Sequence, residues 1–144
     1  MHRPSVRPAI ALALSLALAD GPVAGPIEAA AGVRVRPTVS TRLTGWVARG
    51  GGYHLYRPGA TVRVVVKVWP NLRGDKVRAL LQWRRAGIGW RRLDRSTMTL
   101  NGDSRAVFAV RHLPRGFSFR MRARVPPTPE HRAGRSPWRY FRAR

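Results

Sequence analysis

Arginines at every second position between residues 117 and 125 are the side chains best placed for chemistry in this sequence. Arg120, Arg122 and Arg124 alternate there with apolar residues. Because successive side chains of a β-strand point to opposite faces, the three guanidinium groups would project from one face at intervals of about 6.6–6.8 Å. A guanidinium binds phosphate or carboxylate through two parallel N–H donors. The spacing therefore indicates a surface for anions, with a solvated face that has no ligand as the alternative.

The remaining ionisable residues show no pattern for catalysis or metal binding. The four carboxylates after residue 32 fall in or beside expected turns: Asp75, Asp94, Asp103 and Glu130. Nothing in their spacing suggests the pair of carboxylates about 5–10 Å apart that a glycosidase needs. The histidines are not clustered as zinc ligands are, and no cysteine is present to supply a thiolate. We therefore expect no catalytic residue, no metal, no cofactor and no enzymatic activity.

Three tryptophans are each followed directly by an arginine: Trp83-Arg84, Trp90-Arg91 and Trp138-Arg139. Arginine beside an exposed aromatic ring is typical of stacking platforms for single-stranded nucleic acid or sugars. Large aromatic residues are also common in the cores of β-proteins. We predict that Trp83 is buried, and that Trp90 and Trp138 are partly buried with arginines stacked on them.

Alternation of apolar and polar residues continues through most of the chain after residue 32. It predicts strands at residues 33–43, 60–69, 77–84, 90–93, 97–100, 105–113, 117–125 and 138–143. Residues 45–52 contain four glycines and are predicted to be a loop. No helical period of useful length occurs. About seven short strands, with turns roughly every 8–12 residues, indicate an all-β antiparallel two-sheet sandwich. A five-stranded barrel of the oligonucleotide-binding type is the structural alternative.

Several motifs from Pro58 onward occur in a characteristic order. They are Pro58-Gly59, a valine-rich strand ending at Trp69-Pro70, a Leu113-Pro-Arg-Gly116 corner and Ser136-Pro137-Trp138. In this order the chain resembles the fibronectin type III and related immunoglobulin-like domains of secreted bacterial proteins. The tyrosine usual at the corner in that family is Phe119 here. The resemblance implies an immunoglobulin-like topology in which residues 77–84, 117–125 and 138–143 form neighbouring strands.

This topology would extend the arginine row into a basic sheet face. It places Arg78 and Arg84 on one neighbouring strand and Arg139 on the other. The predicted polyanion-binding residues are then Arg78, Arg84, Arg120, Arg122, Arg124 and Arg139. Like charges on adjacent strands cost stability unless solvent, acids or an anionic ligand offset them.

The net charge of the whole chain supports an anionic partner. The formal charge is +22 at pH 7, and 26 of the 28 cationic residues are arginine. Such a charge produces a long-range positive field that attracts any polyanion, screened over about 10 Å at ~0.1 M salt. The codon bias of a GC-rich genome is the alternative explanation for the preference for arginine. It does not explain why acidic residues are so few.

Residues 1–31 have the composition of an export signal followed by a spacer. Two arginines precede an apolar run at residues 9–19, where Ala17-Leu18-Ala19 has the small residues of a cleavage site. The run is too short to span a bilayer core, which needs about 20 residues. The predicted organisation is a signal peptide at 1–19 (or ending at 31), a flexible spacer at 20–32 and an immunoglobulin-like domain at 33–144.

These features together predict a secreted or cell-surface, non-enzymatic domain. Its basic face would bind an anionic cell-envelope polymer or another protein, and no stable membrane span is expected once the signal is removed. One alternative is a non-specific nucleic-acid-binding protein whose N-terminus is not a signal. The charge favours that reading, but the chain has no recognition helix or known motif. The other alternative is a structural spacer domain with no ligand.

Overall fold

The computed structural model describes residues 32–144, and every regular element in this range is a β-strand. The strands are β1 (Thr38–Thr44), β2 (Ala48–Gly50), β3 (Tyr53–Tyr56), β4 (Val62–Trp69), β5 (Lys76–Arg84), β6 (Arg91–Thr99), β7 (Arg105–Val110), β8 (Ser118–Val125), β9 (Gly134–Arg135) and β10 (Arg139–Ala143). The predicted all-β class is confirmed for these residues. The predicted signal peptide, and all but the last residue of the predicted spacer, lie outside the described residues.

The ten strands form two sheets. The smaller sheet has the order β1-β4-β7, and the larger sheet has the order β2-β3-β10-β8-β5-β6. Strand β9 pairs with β8 further along the edge that β10 occupies. All pairs are antiparallel except β3 and β10, which run parallel. The expectation of a purely antiparallel fold is wrong at this pair, because the long chain between the two strands returns in the same direction.

One apolar core lies between the two sheets. The inward residues of β4 are valines that are at most 1% exposed: Val62, Val64, Val66 and Val68. Those of β8 are at most 4% exposed: Phe119, Met121, Ala123 and Val125. Every second residue is buried because the pleat turns alternate side chains to opposite faces. The apolar face predicted for residues 117–125 is therefore the face that enters the core.

One strand replaces two of those predicted, and another begins later than predicted. Residues 90–93 and 97–100 both contribute to β6, which pairs along β5 with a β-bulge between Leu81 and Gln82. A bulge shifts the phase of the alternation, so the two halves of β6 do not read as one strand. Strand β1 begins at Thr38, and only an isolated bridge from Val35 to His131 precedes it.

The glycine-rich segment 45–52 contains a strand where a loop was predicted. Strand β2 forms a hairpin with β3 through Gly51 and Gly52, whose φ values of +56° and +80° suit glycine. Strand β3 in turn pairs along the edge of β10. A sheet edge offers unpaired backbone groups to any extended segment, whatever its side chains. Alternation therefore gives no sign of β2.

A column of three aromatic rings ties β3, β10 and β8 together. Tyr56 is completely buried, its hydroxyl donates to the carbonyl oxygen of Thr44 at 2.9 Å, and burial raises the pKa of Tyr56 to about 12. Its ring meets Phe141 edge-on with 6.3 Å between ring centres. Phe141 stacks on Phe119 with 5.5 Å between ring centres and 15° between planes. Phe119 thus packs within this column, and the hydroxyl of Tyr56 is hydrogen-bonded to the last residue of β1.

Candidate functional site

The outer face of β8 carries the predicted row of arginines. Arg120, Arg122 and Arg124 alternate with the buried residues of this strand and point away from the core. Strand β8 lies between β10 and β5, the arrangement that the resemblance implied. The register sets Arg78 of β5 directly opposite Arg124. Four of the six predicted residues therefore share the central part of one face.

Of the other two predicted residues, one shares this face and one does not. Arg84 lies at the end of β5 opposite Ser118, on the outer side of the sheet. Arg139 pairs with the core residue Met121, and its Nε donates to the carbonyl oxygen of Thr41 in the smaller sheet at 3.0 Å. The prediction that Arg139 extends the basic face is therefore wrong. Phe141 of β10 is buried in the core, and Arg139, two positions earlier on the same strand, therefore also turns inward.

Two tryptophans lie between the arginines of this face. The guanidinium carbon of Arg120 lies 4.5 Å from the ring centre of Trp90 and 4.3 Å from that of Trp138. Arg84 lies 4.7 Å from the ring centre of Trp90, and Arg122 lies 4.5 Å from that of Trp138. We call Arg84, Trp90, Arg120, Trp138 and Arg122 the arginine–tryptophan stack. A cation over an aromatic face is attracted by about 0.5–2 kcal/mol.

The central residue of the stack is held by a hydrogen bond as well as by the rings. Arg120 Nε donates to Oε1 of Gln82 at 2.7 Å, across the β5–β8 pair. The pKa of Arg122 is lowered, first by burial and then by repulsion from Arg135, Arg120 and Arg124. These like charges lie close enough to Arg122 to repel it, and a bound anion would offset that repulsion.

No carboxylate of the described residues forms an ion pair with an arginine of this face. Among residues 32–144, the only contact within 4.0 Å between a cationic and a carboxylate side chain joins His131 and Asp75. No arginine of this range therefore has a carboxylate partner at that distance among residues 32–144. The positive charge of the larger sheet is available to an external anion.

The structure places the tryptophans differently from the prediction in one case. Trp90 and Trp138 are half-buried under arginines, as expected. Trp83 is half-buried rather than buried, and its ring meets Phe117 edge-on at 5.4 Å. It lies near the end of β5, where it borders a shallow apolar hollow beside Leu93 and Pro114. Part of the Trp83 ring is exposed in this hollow, because no side chain fills the space above it.

Sequence reasoning missed two members of the basic and aromatic surface. Tyr53 accepts a hydrogen bond from Nη2 of Arg84 at 2.7 Å, and Arg142 lies 4.9 Å from the ring centre of Tyr53. Arg142 is the arginine of β10 that faces outward, an orientation predicted from the sequence for Arg139. Tyr53 begins β3, in a region without alternation. The one available signal was that the segment holds aromatic residues directly after a glycine turn.

A buried histidine and a partly exposed aspartate connect two loops away from this face. His131 is 5% exposed, its Nε2 lies 2.7 Å from Oδ2 of Asp75, and its Nδ1 lies 3.0 Å from the carbonyl oxygen of Arg132. Both acceptors require an N–H on the ring, so the geometry fits the imidazolium form. Burial lowers the pKa of His131, but the hydrogen bonds to Arg132 and Asp75 and the charges of Asp75 and Glu130 outweigh it. The net pKa lies above 6.5.

We predict that the stabilising effect of Asp75 declines as the pH rises. A histidine whose pKa is raised by folding stabilises fully below its ordinary value of 6.5 and loses this effect as the pH passes the raised pKa. The free energy of unfolding of Asp75→Asn should therefore lie further below wild type at about pH 6 than at about pH 9. Urea unfolding at both values measures the difference.

Measuring the difference between two proteins removes the contribution of His54, whose pKa is lowered by burial and by Arg49 and Arg139. Asp103→Asn is the matched control, because Asp103 is exposed and accepts no hydrogen bond from a histidine. If the deficit of Asp75→Asn were the same at both pH values, the imidazolium assignment would be wrong.

Comparison with known proteins gives no family for this chain. No family of known proteins matches it, and no curated protein matches it either. Within residues 32–144, no group of three or more histidine, cysteine, aspartate or glutamate side chains is arranged to hold a metal ion. In the same range, no helix has the length and hydrophobicity needed to cross a membrane. The described chain is an all-β, sandwich-like protein with one basic, aromatic face.

Proposed function

We propose that this protein is an exported, non-enzymatic immunoglobulin-like domain that binds an anionic polymer through the outer face of its larger sheet. The partner we favour is a phosphate-rich or carboxylate-rich polymer of the cell envelope. The observation that carries the proposal is the arginine–tryptophan stack, a row of guanidinium groups that contact indole rings and have no carboxylate partner among the described residues. Such groups bind phosphate and carboxylate oxygens through charge-assisted hydrogen bonds.

The strand order supports the immunoglobulin-like part of the proposal. The order β1-β4-β7 in one sheet and β10-β8-β5 in the other corresponds to strands A-B-E and G-F-C of that fold. Strand β6 then takes the place of the additional strand C′ at the edge. Domains of this architecture share the sandwich without sequence similarity, so a chain without family matches is compatible with it.

The face suits phosphate or carboxylate groups better than stacked bases. Each indole of the stack has two guanidinium groups within 4.7 Å of its ring centre. Its stacking surface is therefore largely occupied by arginine, whereas single-strand binding needs open aromatic faces. The outward N–H groups of the same arginines are the donors that remain for an anion. We therefore favour a polymer recognised by its charged groups.

Binding of labelled linear polyphosphate, followed by fluorescence anisotropy, tests the proposal. We expect measurable binding at ~0.05 M salt and a steep, linear loss on a log–log plot toward ~0.5 M, because binding releases condensed counterions. Poly-L-glutamate of equal charge shows whether carboxylates suffice. Absence of binding to both polymers at the lowest salt would support the structural spacer and end the proposal.

A single-stranded oligonucleotide of equal charge tests the nucleic-acid alternative in the same assay. If phosphates alone are recognised, it should bind no more tightly than polyphosphate. Much tighter binding, with quenching of tryptophan fluorescence, would favour stacked bases and the nucleic-acid reading. Mass determination of the protein in the cell and in the medium tests export separately: full-length chain confined to the cytoplasm would contradict it.

A further inference from the structure

A hollow at one end of the sandwich is lined by arginines and lies beside the arginine–tryptophan stack. Its volume is about 670 Å³, and its walls come from the turn between β5 and β6, the corner before β8 and the end of β10. Four arginines line it: Arg84, Arg85, Arg142 and Arg144. No aspartate or glutamate side chain of the described chain lines it. The hollow is therefore concave and positively charged.

The backbone register brings two of these arginines to the same level of the sheet. Arg84 of β5 and Arg142 of β10 both pair with Ser118 of β8, one on each side. Neighbouring strands lie about 4.7–4.9 Å apart, so the backbones of Arg84 and Arg142 each lie about that distance from Ser118, on opposite sides of it. The Ser118 hydroxyl adds a donor between them.

Aromatic rings hold the three guanidinium groups on which the inference rests. Tyr53 accepts a hydrogen bond from Arg84 at 2.7 Å, and its ring centre lies 4.9 Å from Arg142. Arg85 lies 5.8 Å from the ring centre of Phe117. Long side chains lose conformational freedom when they bind a ligand, and side chains that are already held lose less. Within the part of the chain that the structure describes, none of the three has a carboxylate within 4.0 Å.

We propose that this hollow binds a phosphate-bearing ligand, specifically a phosphomonoester or pyrophosphate group. Such a group presents several oxygens in different directions and accepts paired N–H donors from more than one guanidinium. Arginines from β5, the following turn and β10 approach it from different sides. The hollow is larger than one phosphate, so it also accommodates the molecule or polymer end that carries the group.

This inference goes beyond the proposed polymer binding, and Arg85 separates the two, because it lies in the turn after β5 and not on the outer face of the larger sheet. Arg84 belongs to both the hollow and the arginine–tryptophan stack, and Arg142 faces outward on β10 beside the stack. The test is titration of the full chain with inorganic pyrophosphate by calorimetry at ~0.05 M salt. We expect one site per chain, and at least a tenfold loss of affinity in the double variant Arg85→Gln with Arg142→Gln.

The matched control is Arg42→Gln with Arg63→Gln, which removes the same charge from the outer face of the smaller sheet, where neither residue lines the hollow. It should bind pyrophosphate within about twofold of wild type. Equal weakening of both double variants would overturn the inference, because the binding would then follow net charge alone. Absence of pyrophosphate binding by wild type would also overturn it.

Two further measurements keep the inference separate from protein stability and from the polymer proposal. If the double variant is unstable, Arg85→Gln alone replaces it, since the one aromatic contact of Arg85 is with Phe117. The Arg85→Gln single variant should retain most of its affinity for long polyphosphate with blocked ends, because Arg85 lies in the turn after β5 and not on the outer face of the larger sheet. Loss of pyrophosphate binding with retained polymer binding places the phosphate group in the hollow. If pyrophosphate binding is retained in the variant, the hollow is not the site, and the polymer proposal is unaffected.

Discussion

Replacing Arg120, Arg122 and Arg124 together by glutamine is expected to lower the affinity for linear polyphosphate at least about tenfold at ~0.05 M salt. These residues form the central row of the basic face, and none pairs with a carboxylate of residues 32–144. Each arginine that contacts a phosphate also releases a condensed counterion. The slope of log affinity against log salt should therefore fall in magnitude by about two to three.

The matched control for this variant lies on the opposite sheet. Arg42, Arg63 and Arg105 are exposed on the outer face of the smaller sheet, on β1, β4 and β7. Changing these three to glutamine removes the same net charge but leaves the larger sheet intact. We expect this variant to lose no more than a few-fold in affinity through the weaker long-range field. If the two triple variants weaken binding equally, the polymer does not bind at the face that we propose.

The fold of the first triple variant needs its own measurement, because Arg120 also has structural contacts. It donates to Gln82 and lies between two tryptophans. Thermal unfolding of each variant shows whether this stacking is required for folding. Should the triple variant be unstable, Arg78→Gln with Arg124→Gln removes two exposed arginines that lie opposite each other and contact neither tryptophan. It should still lower polyphosphate affinity and flatten the salt slope.

Replacing Phe141 by alanine is expected to cost about 3–5 kcal/mol of folding free energy. Phe141 is 0% exposed, stacks on Phe119 and meets Tyr56 edge-on. Its removal leaves a cavity where β3, β10 and β8 meet, and the surrounding strands cannot collapse into it without losing register. A domain of this size has roughly 5–15 kcal/mol of stability in total, so the variant should be close to unfolding at moderate temperature. Urea unfolding measures the loss.

Val107→Ala is the comparison for Phe141→Ala within the same protein. Val107 is 48% exposed on the outer face of the smaller sheet, so its truncation leaves no enclosed cavity. We expect it to cost less than about 1 kcal/mol. If Phe141→Ala costs no more than Val107→Ala, then the ring is not enclosed between the sheets and the described core is wrong.

The arginine–tryptophan stack has a stabilising role whether or not a ligand binds. Arg78 and Arg124 lie directly opposite each other on the adjacent strands β5 and β8, and neither pairs with a carboxylate of the described residues. Like charges in this position cost stability. The contacts of Arg120 and Arg122 with Trp138 offset part of such repulsion by attraction to the ring face. Stacking explains how the row is tolerated, but it does not neutralise the charge. The positive charge that remains on the arginine row is what would attract an anionic partner.

Most of the layered core could be predicted from the alternation of residues. Val62 to Val68 and Phe119 to Val125 follow a period of two without interruption, and each series is buried as predicted. The outward position of Arg120, Arg122 and Arg124 follows from the same rule. The adjacency of β5, β8 and β10 followed from the family resemblance rather than from any local pattern.

Other features were decided only when the strands came together. Residues 139–143 can alternate in two ways, with Arg139 or with Tyr140 turned outward, and the aromatic column of Phe119, Phe141 and Tyr56 selects the second. Strand β2 exists because β3 pairs with the edge of β10, and no side-chain pattern marks it. The contact between His131 and Asp75 joins residues 56 positions apart in the chain.

The amino-acid order by itself determined the strands with strong alternation, the face that each of them buries and the excess of positive charge. The tertiary structure alone decided the inward turn of Arg139, the contacts between arginines and tryptophans and the position of the arginine-lined hollow. The physical reason is that alternation reports only which side of one strand is apolar. Contacts between strands depend on register and on shared edges, which are set by packing across the whole core.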